Sequence, residues 1–172
     1  MNGDNQNTDE QIEIVDNQAG QEVNINDLSD KKFGESVPKP HLDGKVAVIS
    51  NVKLTTGDIE LTKSGKKKRK LPLVLTYKTD DGSEAYESYG GINRFIGADG
   101  SEGEPTLYVE GTNTGANLIK AWCNHLNKKV EDVSLKEFLN GLQGARVRLK
   151  EIQVNNPFKN EMTHKNVIEV FL

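Results

Sequence analysis

Several stretches of this chain alternate apolar and polar residues with a period of two, and that pattern confines it to folds built on strands. Over residues 45–54, Val46, Val48, Ser50, Val52 and Leu54 share one face of a predicted strand. Over 71–79, Leu71, Leu73, Leu75 and Tyr77 do the same, and Asp80-Asp81-Gly82 is a tight-turn signal that returns the chain as a third strand over 84–92. Residues 146–154 set Val147 and Leu149 against Arg146, Arg148 and Lys150, and after the turn signal Asn155-Asn156-Pro157 the segment 166–172 closes the chain as a last strand.

Helical punctuation sits between the third and fourth of these strands. After an acidic, glycine-rich loop at 97–105 and a short strand at 106–110, Asn113 or Thr114 caps a helix that begins near Gly115. Its Leu118, Ile119, Trp122, Cys123 and Leu126 fall on one face. Ser134 and Glu137 form the capping box of a second helix, Leu135, Phe138, Leu139 and Leu142 make its buried stripe, and Gly144 stops it. Three strands, a helical insert and two strands is the chain order of the OB-fold, a small Greek-key barrel. The expected architecture is therefore mainly β: an OB-fold-like five-stranded barrel with a helical insert between strands 3 and 4. A β-sandwich with a decorating helix is the competing arrangement. Residues 55–70, with two glycines and a basic run, read as a long mobile connection.

Charge divides the chain in two. Residues 1–32 carry eight acids against Lys31 and Lys32, a net −6, while the remainder carries 20 basic and 18 acidic groups, a net +2. Few large apolar groups lie in the first 40 residues, so that segment cannot bury enough surface to offset its chain entropy. The expected division is an acidic disordered tail over 1–40 and a folded domain over 41–172. A single cysteine, Cys123, excludes an intramolecular disulfide and a multi-cysteine zinc site, and with three histidines a zinc site would need an unusual ligand set. No apolar run reaches the roughly 18 residues of a membrane helix, and the start lacks a secretory pattern. No membrane association and a cytoplasmic location are expected.

The start Leu42-Asp43-Gly44-Lys45-Val46-Ala47-Val48 runs through a basic, gapped link to Leu73-Val74-Leu75. The phrase from Ser134 to Gly144, with its Leu142-Gln143-Gly144 ending, leads into a charged strand and a terminal Asn166-Val167-Ile168 strand. Across 42–172 this pattern resembles the OB-fold single-stranded-DNA-binding proteins of bacteriophages and related viruses. The resemblance implies a non-catalytic protein of viral or phage DNA replication or recombination, working in the host cytoplasm without a cofactor.

A sequence-tolerant single-strand binder needs cations along a groove and flat rings for bases. Lys63, Lys66, Lys67, Lys68, Arg69 and Lys70 form the densest cationic run, and Lys53, Arg94, Arg146, Arg148 and Lys150 complete the candidate set. The candidate rings are Tyr77, Tyr86, Tyr89 and Phe95. Alternation puts Tyr77 with the core leucines. Tyr86 and Tyr89 have opposite parity, so a regular strand buries one of them unless a bulge at Gly90-Gly91 resets the phase. Trp122 and Cys123 read as core. The expected ligand is single-stranded DNA, with RNA as the alternative. The acidic tail is a candidate tether for replication or recombination proteins, or a competitor for the groove. His41, His125 and His164 are scattered in sequence and show no catalytic pairing, and Asp99, Glu102 and Glu104 miss the EF-hand spacing. A protein-interaction or virion component with a β domain is the alternative function.

Overall fold

A computed structural model describes residues 38–107, 114–156 and 158–172. The chain divides into two units, 1–37 and 38–172; the acidic segment lies outside the described residues, as do Glu110, Asn113 and Pro157. The folded unit starts at Pro38, so residues 38–40, expected in the tail, belong to it.

Nine strands, two α-helices and a short 3-10 helix (Val130–Asp132) make up the regular elements of the described residues: β1 (Val46–Leu54), β2 (Ile59–Leu61), β3 (Lys67–Lys70), β4 (Leu73–Thr79), β5 (Glu84–Tyr89), β6 (Ile92–Ile96), β7 (Thr106–Leu107), α1 (Thr114–His125), α2 (Leu135–Leu142), β8 (Arg146–Asn156) and β9 (Glu161–Phe171). They form two antiparallel sheets, one of five strands in the order β5-β4-β1-β8-β9 and one of four in the order β2-β3-β6-β7.

The core lies on one face of the five-stranded sheet. Ala47 and Ile49 of β1, Leu73, Leu75 and Tyr77 of β4, Ala85 and Tyr89 of β5, and Val147 and Leu149 of β8 are buried together with Leu118, Ile119, Trp122 and Cys123 of α1 and Phe138 and Leu142 of α2. Each large apolar side chain so buried stabilises the fold by about 1.5–3 kcal/mol. Ser134 caps α2 by accepting the Glu137 amide at 3.1 Å, and Gly144 takes the positive φ of 78° that ends this segment. Trp122 meets Phe138 edge-on, with ring centroids 5.6 Å apart.

Several expectations need correction, among them the start of the last strand, which lies at Glu161 and not at residue 166. On β1 the inward residues are Ala47 and Ile49, then Val52 and Leu54. Ser50 is the extra residue of a β-bulge between Ile49 and Asn51, and it shifts the phase in mid-strand. Its carbonyl accepts from Gln143 Nε2 at 2.8 Å, and its hydroxyl donates to Thr76 O at 3.3 Å. The predicted strand over 84–92 is two strands: Gly91, at φ 115°, turns the chain from β5 in one sheet to β6 in the other. Leu126, expected on the apolar stripe, lies past the end of α1 and is exposed. Finally, the five-stranded sheet is not a closed barrel, because among the described residues no ladder joins β5 to β9.

Side chains bridge that gap instead. Glu87, an acid among the inward residues of β5, accepts the Asn166 amide at 2.7 Å and Lys39 Nζ at 3.1 Å. Asn166, itself buried, accepts the Leu42 amide at Oδ1 and donates from Nδ2 to Pro40 O, both at 3.0 Å. A buried carboxylate is tolerable only with such partners, and they tie the entering segment at Lys39–Leu42 to both edge strands.

Candidate nucleic-acid interface

Residues 55–70, expected as a mobile connection, contain a hairpin. Its turn closes through Thr62 N to Lys66 O at 2.8 Å and Lys66 N to Thr62 Oγ1 at 3.0 Å, with Gly65 at φ 78°. Lys67–Lys70 is thus a strand, paired to β2 on one side and to β6 on the other. Successive residues of a strand point to opposite faces, so the basic run is split. Lys68 and Lys70 share a face with Glu60, Asn93 and Phe95, while Lys67 and Arg69 share the other with Ile59, Leu61, Arg94 and Ile96.

The first of these faces forms the wall of a groove of about 810 Å³, lined by Lys63, Lys66, Lys68, Lys70, Phe95 and Asn93, with Gly90 and Gly91 at its border. Phe95 is 38 % exposed and lies opposite Lys68 across the ladder. One acid enters this cationic wall. Glu60 pairs with Lys70 and lies 3.9 Å from Lys68; the hydrogen bond from Lys70, then the charges of Lys70 and Lys68, hold its carboxyl below the ordinary value. On the opposite face Glu102 plays the corresponding part, 2.7 Å from Arg69 and 3.9 Å from Arg94. Lys63, Lys66 and Lys67 make no ion pair among the described residues.

The remaining candidates lie on the outer face of the five-stranded sheet. Val48 stands opposite both Lys78 and Arg146, Val46 opposite Arg148, Lys53 opposite Val74, and Tyr86 opposite Thr76. Arg146, Arg148, Lys150, Lys53 and Tyr86 therefore belong to one exposed face, together with Lys78, which the sequence reading passed over. Tyr86 is 61 % exposed, and its hydroxyl donates to Glu84 Oε1 at 2.5 Å, which raises its pKa. None of these side chains lines the groove.

Tyr77 and Tyr89 are removed from the site. Both are buried and their hydroxyls bond each other, so neither offers a ring face to a base; desolvation raises both phenols above the ordinary value. The parity argument for Tyr86 and Tyr89 holds, with Tyr86 outward and Tyr89 inward. Glu102, considered for an acidic cation loop, is engaged with arginines.

One further cluster escaped the sequence reading. His41, Glu151 and His164 bring one ligating atom each to within 4.8 Å of one another. Sequence spacing conceals it, since His41 and Glu151 stand 110 residues apart. No helix among the described residues is long and apolar enough to cross a membrane. No protein-family model matches the chain, and no curated protein does.

Proposed function

We propose that this chain is a non-catalytic protein that binds single-stranded DNA, acting in phage or viral DNA replication or recombination. The observation that carries the reading is the groove on the four-stranded sheet, where four lysines and an accessible phenylalanine ring line one wall. Lysine ammonium groups neutralise phosphates without regard to sequence, and a ring face stacks on any base. Glycines at the groove's border leave room for a backbone to approach. A Greek-key path supports the OB-like reading of the larger sheet. Its strands β8-β1-β4-β5 follow the order in which a fourth strand returns beside the first, as the OB-fold requires.

The test is fluorescence anisotropy of a labelled oligo-dT, with an oligo-U of equal length, over a salt series. Each phosphate contact adds about −0.7 to the slope of log affinity against log salt. Replacing Lys63, Lys66, Lys68 and Lys70 by Gln is expected to flatten the slope by about 2–3. Absence of oligonucleotide binding at low salt, or an unchanged slope in the variant, refutes the groove as the interface.

A second reading, protein docking, has one observation in its favour. Ile59 and Leu61, the latter 68 % exposed, present apolar side chains from the edge strand β2. Exposed apolar groups on an unpaired edge suit a protein partner.

A further inference from the structure

We infer that His41, Glu151 and His164 form a binding site for a zinc-type divalent metal ion. Three separate pieces of chain bring them together. His41 sits in the entering segment, held between Pro40, whose carbonyl accepts from Asn166 Nδ2, and Leu42, whose side chain is fully buried. Glu151 lies on β8, its amide donating to Asp43 Oδ1 at 2.8 Å. His164 lies on β9 opposite Gln153, two residues along from Glu151, which places it on the same face of the hairpin.

The cluster has the chemistry of a metal site. His41 Nδ1 is 2.6 Å from Glu151 Oε2, and the two imidazoles stack with centroids 4.0 Å apart and planes 19° from parallel. Two nitrogens and one carboxylate oxygen suit zinc, cobalt or nickel, whereas magnesium and calcium take oxygen sets. Three protein ligands leave a fourth tetrahedral position for water. A second contact orients one ligand: His164 Nε2 lies 3.2 Å from Pro40 O, so an N–H there leaves Nδ1 as the ligating atom. A backbone carbonyl in that role is the usual partner of a metal-bound imidazole. Tetrahedral zinc sets its ligand atoms about 3.3 Å apart, between the 2.6 Å of the His41–Glu151 pair and the 4.8 Å that bounds the set. The His41 side chain is 71 % exposed, so an ion can reach the cluster from solvent. Lys39 Nζ, 3.4 Å from His164 O, is the cation at the rim, and it is neutralised by Glu87.

Bound metal would pin the entering segment to β8 and β9, beside the gap that Lys39 and Glu87 bridge. The experiment uses the full chain, freed of any histidine tag and stripped with a chelator, titrated with zinc against a chromophoric competitor and then with cobalt. One ion per chain, a raised unfolding temperature on zinc addition and visible cobalt absorption are expected. His41→Ala, His164→Ala and Glu151→Gln are each expected to weaken binding by at least about tenfold. His125→Ala removes the one histidine outside the cluster and serves as the control. Because His41 is exposed, its replacement leaves the fold intact, which circular dichroism checks. No stoichiometric zinc uptake, undiminished uptake by His41→Ala, or uptake that follows His125 would each overturn the site.

Discussion

The five-stranded sheet and the β2–β3 hairpin are held by different forces. Ala47, Ile49, Leu73, Leu75, Tyr77, Val147 and Leu149 make one face of the five-stranded sheet a dry floor beneath Trp122 and Phe138. Among the residues of β2 and β3 none is buried; that hairpin is held by its ladder and by the pairs of Glu60 with Lys70 and Glu102 with Arg69. Apolar burial scales with area and persists in salt, whereas exposed ion pairs contribute little and are screened. The larger sheet therefore rests on buried area, while the β2–β3 hairpin keeps its cations at the surface.

The largest effect that tests this contrast is Phe138→Ala. Phe138 is fully buried against the edge of Trp122, so the truncation is expected to cost about 3–5 kcal/mol and to lower the unfolding temperature by roughly 10–20 °C. The quadruple lysine variant of the smaller sheet is expected to melt within a few degrees of the wild type while losing oligonucleotide affinity. Calorimetry on the two variants decides the matter. A lysine variant as unstable as Phe138→Ala would mean that the smaller sheet carries the fold after all.

Next in size is a pair of ring deletions, one on each sheet. Phe95→Ala is expected to weaken single-strand binding by about 1–3 kcal/mol, the worth of one stacked base. Tyr86→Ala, on the outer face of the larger sheet, is expected to change affinity less than about twofold. The reverse outcome in an anisotropy titration would move the interface to the face of Lys53, Lys78, Arg146 and Arg148.

The same contrast explains what the sequence could reveal. Strict burial writes a strict pattern: Leu71, Leu73, Leu75 and Tyr77 were legible as one inward face, and Ser134 with Glu137 as a helix start, because local rules and tertiary packing agree there. The basic hairpin reads as a loop in sequence because both of its faces are solvated and its apolar alternation is confined to Ile59 and Leu61. The Ser64-Gly65 turn between two short extended runs is its clearest signal. The bulge at Ser50 was hidden for another reason. It depends on Gln143, 93 residues away, whose amide reaches the Ser50 carbonyl. Phe95 could be named as a candidate ring, but only the pairing of β3 with β6 sets it on the face of Lys68.

The smallest effect concerns the one acid in the groove wall. Glu60 holds Lys70 and lies near Lys68, so Glu60→Gln is expected to release both ammonium groups to phosphate. Affinity for oligo-dT should then rise by about threefold, and the salt slope should steepen by about 0.7 for each new contact. The pH dependence has a definite sign. Hydrogen bonding and charge from Lys70, then Lys68, depress the Glu60 carboxyl below its ordinary value. Its contribution to stability is therefore present above the ordinary carboxylate range and is lost as pH falls through the depressed value. Over the same fall, protonation removes the competing charge, so wild type and Glu60→Gln should bind oligo-dT differently at pH 7 and converge in acid. A difference that persists once the Glu60 carboxyl is protonated would show that Glu60 does not compete with phosphate for these lysines.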